Sequence, residues 1–251
     1  MTQTGTIYGV GLGPGDPDLM SVRSHRLITN AKHVAFFRKA GRKGQARAIV
    51  DGMLPETAIE FPMEYPVTTE ISVHDPRYNE ALSAFYEDVT QHLIALAQTG
   101  EDVVVLCEGD PFFYGSFMHI YARVRDVVPT QVVPASTGMS GAWTATEAPI
   151  TWGDDVLTVL MGTLDEEKLT RHMADTDAMV VMKIGTNYDK VIRALKASNR
   201  YEEAWLVQFA TMQKQSVKKL SETTDHGTPY FPNILVHGHR RGPGAVASHP
   251  T

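Results

Sequence analysis

The sequence reads as an α/β protein of two domains, each a sheet flanked by helices. Short apolar runs alternate with segments of helical periodicity through the first half, as parallel strands and their crossover helices do. A length of 251 residues accommodates two compact modules of about 100–200 residues each. The alternation pauses at Pro129, which divides an N-terminal domain over residues 1–128 from a C-terminal domain over residues 129–239. Residues 240–251 have little apolar content beyond Val246 and are expected to form a mobile tail.

The first strand is expected over residues 6–12 (TIYGVGL), an apolar run that ends in glycines. A loop of glycine, proline and aspartate follows, and then a helix over residues 21–31 with Val22, Leu27 and Ile28 as its apolar positions. Residues 33–37 (HVAFF) form the second strand, residues 39–47 a basic loop and residues 58–63 a weaker third strand. Residues 76–99 are the longest helix: Tyr78, Leu82, Phe85, Val89, Leu93 and Leu96 recur in steps of three and four, which is one face of a 3.6-residue period. Asp75 suits its N-cap and Pro76 its first turn, and Gly100 ends it. Residues 102–107 (DVVVLC) are a fourth, buried strand, and residues 116–124 return to helix.

The second half shows strands at residues 131–134, 156–161, 178–184 and 204–209, with helices at 165–173 and 188–197. Short runs at 216–220 and 233–237, set off by turn residues, read as antiparallel strands that close the second sheet. No repeat at solenoid period is present.

Composition removes several function classes. Cys107 is the only cysteine, so neither an internal disulfide nor a cysteine-rich zinc site can form. A formal net charge of -6 disfavours a nucleic-acid partner. No basic segment followed by an apolar one opens the chain, and no apolar run reaches the ~18 residues of a membrane span. A cytoplasmic location is expected.

Three loops carry the chemistry. The first, residues 9–18 (GVGLGPGDPD), joins a strand to a helix. Its glycines miss the dinucleotide spacing, because the third glycine of G-x-G-x-x-G would fall at Pro14 or Asp16. The second strand also runs into Arg38 and Lys39 and lacks the acid a dinucleotide fold requires there. No glycine precedes Lys-Ser or Lys-Thr, so a phosphate-binding P-loop is absent too. What remains fits two readings equally, a backbone cradle for a ligand or a tight turn without one. The second loop, residues 108–115 (EGDPFFYG), sits at the C-terminal end of a buried strand, where open α/β sheets place ligands. There Asp110 reads either as a ligand-facing acid or as a cap of the next helix. The third, residues 134–141 (PASTGMSG), offers hydroxyls and backbone amides to a carboxylate or ribose, and equally an N-cap at Ser136 or Thr137.

A GxGPGDP loop after strand one, a GDPxxYG loop after strand four and a Pro-x-Ser/Thr loop after strand five, in that order, resemble the tetrapyrrole methylase family. The match covers nearly the whole chain short of the tail. Within that family the stretches GTIYGVGLGPGDPDLMS, FPMEYPVTT (residues 61–69) and CEGDPFFYGSFMHIYAR (residues 107–123) are most similar to the precorrin-2 C-20 methyltransferases. The resemblance implies two α/β domains with the active-site cleft between them, a homodimer, S-adenosylmethionine as donor with S-adenosylhomocysteine as product, and methyl transfer to C-20 of precorrin-2 in cobalamin biosynthesis. Matched position by position, it implies that Pro14 lies beside the active-site trough. Glu108, Gly109, Asp110, Phe113, Thr137 and Gly138 fall at cofactor-holding positions, as do Met161 in LMGT and Ala210 in QFATM. Glu108 and Ala135 stand where many relatives have glycine.

Methyl transfer between a nucleophilic ring carbon and a sulfonium needs alignment above all, which is worth ~7–11 kcal/mol of barrier. No nucleophile triad or metal cluster is expected. Glu108, Tyr114 and His119 lie near the cofactor loop by sequence and are the candidates to receive the departing proton. The implied substrate is a polycarboxylate, and Arg38, Lys39, Arg42, Lys43 and Arg47 form a dense basic segment suited to carboxylates; the plain alternative is a solvated surface. Competing functions are methylation of cobalt-precorrin-2 or another tetrapyrrole carbon, methylation of ribosomal RNA, a nicotinamide oxidoreductase, and tetrapyrrole binding without activity.

Overall fold

The computed structural model describes residues 3–67, 75–223 and 232–238. The expected tail lies outside them, as do Thr68 and Thr69 of the FPMEYPVTT stretch. Among the described residues the chain forms two five-stranded sheets, in two compact units that divide between Gly138 and Met139.

The first unit contains β1 (Ile7–Gly11), α1 (Val22–Thr29), β2 (His33–Lys39), α2 (Gln45–Ile49), β3 (Ile59–Tyr65), α3 (Pro76–Gln98), β4 (Val103–Cys107), α4 (Phe117–Val124) and β5 (Thr130–Val133). Every strand pair is parallel, in the order β3-β2-β4-β1-β5. Alternation along each strand sends side chains to opposite faces. Val10, Val34, Phe36 and Val104 pack with Ile28 of α1 and Ile49 of α2. Ile7, Ala35, Val103 and Val105 pack on the other face with Leu93 of α3 and with Phe117 and Ile120 of α4. Both faces are therefore covered, which is why β4 reads as an unbroken apolar run. Pro62 lies in β3, which pairs only with β2; a residue without an N–H is tolerated on such an edge.

Asp75 caps α3 by accepting the Arg77 N–H, with Pro76 in the first turn. The buried face of α3 is Tyr86, Val89, Thr90, Leu93, Ile94 and Ala97, turned slightly from the face that periodicity predicts. Leu82, Phe85 and Leu96 are only half-buried at its margin. The basic stretch is not one loop: Arg38 and Lys39 end β2, and Arg47 lies in α2.

The structural division falls ten residues later than Pro129 suggests. Residues 130–133 form β5, whose hydrogen bonds go to β1, so that strand belongs to the first sheet. The segment that follows becomes α5 (Gly138–Ala145).

The second unit continues with β6 (Leu157–Met161), α6 (Glu166–Ala174), β7 (Ala178–Met182), α7 (Tyr188–Ala197), β8 (Trp205–Gln208), β9 (Ser216–Lys219) and β10 (Pro232–Val236). Its strand order is β6-β7-β10-β8-β9. β6 and β7 are parallel, and β10 is antiparallel to both β7 and β8. Both late strands pair antiparallel, as expected; β9 takes an edge, whereas β10 inserts into the middle of the sheet. Its residues Ile234, Leu235 and Val236 are fully buried, as a central position demands. This order also brings the C-terminal ends of β6, β7 and β8 to one edge.

Candidate functional site

β1 and β4 are neighbours, yet the chain leaves them in opposite directions. From β1 it crosses by α1 to β2 on one side; from β4 it crosses by α4 to β5 on the other. Connections that diverge to opposite faces open a crevice at the strand C-termini, the usual ligand site of an open parallel sheet. The first and second loops meet there. The Leu12 N–H donates to the Cys107 carbonyl at 2.9 Å, and the Gly109 N–H donates to the Gly13 carbonyl at 2.9 Å. Gly109 holds φ +68, a left-handed backbone that side chains disfavour. At Gly11 the limit is space: a Cβ would lie 2.6 Å from the Ala135 Cβ and 2.9 Å from the Gly109 carbonyl oxygen. At Gly11 the three loops therefore meet too closely for any side chain. Beyond them Gly138 faces open space at the start of α5, with nothing within 4 Å of where a Cβ would stand.

The second loop holds two acids with different surroundings. One oxygen of Asp110 accepts the Phe112 N–H at 2.8 Å, and the other accepts the Ala135 N–H at 3.0 Å. Asp110 thus closes its own turn and ties the second loop to the third; it does not cap α4, which begins seven residues on, at Phe117. Glu108 presents surface to solvent. Protein packed around it nevertheless strips water from its carboxylate and pushes its pKa up to about 7. A concave position that solvent still reaches satisfies both observations.

Tyr114 holds φ +54, a strained conformation for a non-glycine residue, with its ring edge-on to Phe113 at 4.9 Å. Phe112 is exposed and packs edge-on against Tyr121 at 4.7 Å. The Ser116 hydroxyl is bonded to the Tyr65 hydroxyl, which anchors the loop exit to the end of β3. Burial pushes the Tyr65 phenol well above its ordinary range. His119 stacks on Tyr86 of α3 at 4.5 Å.

Of the residues singled out from sequence, Pro14, Glu108, Gly109, Asp110, Phe113, Thr137 and Gly138 all lie in the three loops at the C-terminal edge of the first sheet. Pro14 is buried, and Thr137 and Gly138 are half-buried. Met161 ends β6 and Ala210 follows β8 by two residues, so both lie on the C-terminal edge of the second sheet. Sequence reasoning missed Lys183, which follows β7 on that same edge with φ +50, alongside Phe209 (φ +50) and Thr211 (φ +65). Glycine-like backbone at three non-glycine residues on one edge is the strain that functional edges concentrate. The available sign was the Lys-Ile-Gly turn directly after a buried strand.

The basic segment is largely neutralised by its own unit. Arg38 pairs with Glu64 at 2.6 Å, Lys43 with Asp51 at 2.7 Å, and Arg47 with Glu60 at 2.8 Å and Asp51 at 3.3 Å. Hydrogen bonding to Glu60 raises the Arg47 pKa, the same bond lowers that of Glu60, and Lys43 lowers that of Asp51. Lys39 lies at the end of β2, and Arg42 is exposed in the turn beyond it. Exposed pairs contribute only ~0–1 kcal/mol each, so a polyanion can exchange into them, but the free positive charge is smaller than the sequence count suggests. Among the described residues no group of three or more His, Cys, Asp or Glu could hold a metal, and no helix is long and apolar enough to cross a membrane. A cavity of about 820 Å³ lined by Tyr8, Arg26, Lys32 and Glu101 lies at the opposite, N-terminal edge of the first sheet, away from the loops.

The family model for tetrapyrrole (corrin/porphyrin) methylases matches residues 6–224. The precorrin-2 C(20)-methyltransferase of Sinorhizobium sp is 44% identical over 239 residues, which cover 95% of this chain and 98% of that protein. The cobalt-precorrin-2 C(20)-methyltransferase of Salmonella typhimurium is 25% identical, over 92% of this chain and 96% of its own. Among solved structures, the uroporphyrin-III C-methyltransferase of Thermus thermophilus complexed with S-adenosylhomocysteine shares the fold at a TM-score of 0.63. It is 20% identical, over 93% of this chain and 92% of that one.

Asp110→Ala removes an acceptor that serves two backbone N–H groups. It should lower unfolding stability by about 1–3 kcal/mol and speed hydrogen exchange at the Ala135 amide. Unchanged exchange at Ala135 would show that the tie between the second and third loops is not made in solution.

Proposed function

The chain belongs to the tetrapyrrole (corrin/porphyrin) methylase family, and from that premise we propose that it transfers a methyl group from S-adenosylmethionine to C-20 of precorrin-2, giving precorrin-3A in cobalamin biosynthesis. The observation that carries the reading is the 44% identity to a precorrin-2 C(20)-methyltransferase across 95% of the chain. The geometry supports it. Three loops meet at the switch point of a parallel sheet, and they touch so closely at Gly11 that a side chain there would fill the cradle. A ligand seated there would meet main-chain groups, which suits a donor that needs to be oriented more than activated.

When bound, S-adenosylmethionine supplies an electrophilic methyl group on a sulfonium that departs as a neutral thioether. The chain's own part is alignment. Gly109 and the loop tie at Asp110 set where donor contacts from residues 108–113 and 137–138 point, and Pro14 stiffens the loop beside them. Met161 and Ala210 are proposed as the second unit's own cofactor contacts. The two exposed aromatic rings, Phe112 and Tyr114, give the second loop an apolar surface for a macrocycle. Carboxylates of the tetrapyrrole are assigned to Arg38, Lys39, Arg42, Lys43 and Arg47, in exchange with the acids that these residues hold. A homodimer in the cytoplasm completes the reading by resemblance; a monomer mass from light scattering at micromolar concentration would contradict the dimer. A second reading, with cobalt-precorrin-2 as substrate, rests on the more distant 25% relative.

The test is turnover with metal-free and with cobalt-loaded precorrin-2, with the methyl group located by mass and NMR analysis. One methyl at C-20 per S-adenosylhomocysteine formed is expected, with the metal-free substrate preferred. Methylation at another carbon, or none, contradicts the reading. In the same assay alanine at Arg38, Lys39, Arg42 and Lys43 together should raise the tetrapyrrole KM, less so in salt, and leave donor affinity nearly unchanged. An unchanged KM at low salt would place the carboxylate contacts elsewhere.

A further inference from the structure

The second loop carries two carboxylates two residues apart, and the fold treats them in opposite ways. Asp110 has both oxygens committed to backbone N–H groups of Phe112 and Ala135, which makes it scaffold. Among the described residues no hydrogen bond or ion pair reaches the Glu108 carboxylate, and burial is the whole of its perturbation. It stands directly after β4, at the mouth of the crevice that the diverging connections of β1 and β4 open. A carboxylate with no hydrogen bond at the mouth of a crevice is available to take a proton, whereas one spent on two backbone N–H groups holds structure.

The remaining candidates for proton transfer are placed less well. His119 lies in the first turn of α4 with its ring stacked on Tyr86 of α3, which turns it to the helix layer. Tyr114 is exposed with its ring edge-on to Phe113, and a neutral phenol accepts a proton far less readily than a carboxylate. We propose that Glu108 accepts the proton that leaves C-20 of the tetrapyrrole, a role that rests on the methyl-transfer reading above. C-20 forms its new bond to the methyl carbon while sulfur keeps the electron pair of the broken C–S bond. The C–H electron pair at C-20 then returns to the macrocycle, and the proton passes to the Glu108 carboxylate and from there to solvent. Overall the sulfonium charge leaves as one proton.

A carboxyl titrating near 7 suits this work, because a base is most effective when its pKa lies near the working pH. β2, the neighbour of β4, ends at this edge in Arg38 and Lys39, and Arg38 is paired with Glu64. Burial keeps the Cys107 thiol neutral. Asp110 is engaged as described, and Asp16 accepts the Asp18 N–H. Residues 11–14 and 134–138 carry no titratable side chain.

Glu108→Gln, which keeps the side-chain shape, tests the assignment. The kcat should fall by about 10²–10⁴-fold, a loss that saturating S-adenosylmethionine does not restore. Wild-type kcat/KM should drop about tenfold per pH unit below about 7, and this limb should vanish in the variant. Carbon-13 NMR of the free protein supplies a readout independent of turnover: a carboxyl titrating near 7 that is absent from Glu108→Gln. A variant with wild-type kcat and an intact acid limb, or a Glu108 carboxyl titrating in the ordinary range near ~4.3, overturns the proposal. If the wild type fails to methylate C-20 while that carboxyl still titrates near 7, the reaction reading is what falls, and the proton-acceptor role with it.

Discussion

The hydrogen bond from the Gly109 N–H to the Gly13 carbonyl joins two loops whose chains then leave for opposite faces of the sheet. Parallel strands β1 and β4 stop pairing at Gly11 and Cys107. Past that point the ladder has no regular continuation, and the two backbones stay in contact only because residue 109 adopts a left-handed conformation. Most features of the site follow from this constraint. The first loop is glycine-rich because the second lies against it. Ala135 is small because Gly11 approaches it. Asp110 is spent on backbone because the third loop must be held to the second. A larger residue at any of these points would separate the loops by more than a hydrogen bond tolerates.

With one acid consumed by architecture, the other is left for chemistry. Glu108 and Asp110 have the same functional group, and the distinction between them lies entirely in what surrounds them. The first has lost water without gaining a hydrogen bond, which favours its neutral form; the second has gained two donors. The same division of labour applies to the aromatics. Tyr86 is buried in the core under α3 and α4 and Tyr65 packs half-buried against it, whereas Phe112 and Tyr114 remain exposed on the loop. Methyl transfer to a reduced tetrapyrrole asks for orientation, an apolar surface and a sink for one proton, and residues 108–116 present all three.

Much of this was legible in the sequence because the period of the apolar pattern is a local property. The buried strands β1, β2 and β4 and the helices α3 and α7 were placed nearly to the residue, and the three loops followed from them. What was not legible depends on pairing. Whether residues 130–133 join the first or the second sheet is decided by hydrogen bonds to β1, over a hundred residues away. The central position of β10 is likewise a matter of partners. The basic segment is deceptive for a related reason: its five cations cluster in sequence, but two of the acids that hold them, Glu60 and Glu64, lie on β3 and meet them only once β3 pairs with β2. Asp110 could be seen as an acid at a strand end, but its commitment to Ala135 spans 25 residues. Lys183 is hidden because the apolar run continues to Ile184 and reads as strand, with Gly185 the one hint of the turn.

The loop junction at the C-terminal edge of the first sheet is the place proposed to hold the donor. Titration of the protein with S-adenosylmethionine, followed by backbone amide chemical shifts, tests this most directly. The largest shifts should fall on residues 11–15, 108–113 and 137–138, with little change at the N-terminal-edge cavity around Arg26, Lys32 and Glu101. Shifts concentrated at that cavity, with the amides of Gly109 and Gly138 unmoved, would contradict it.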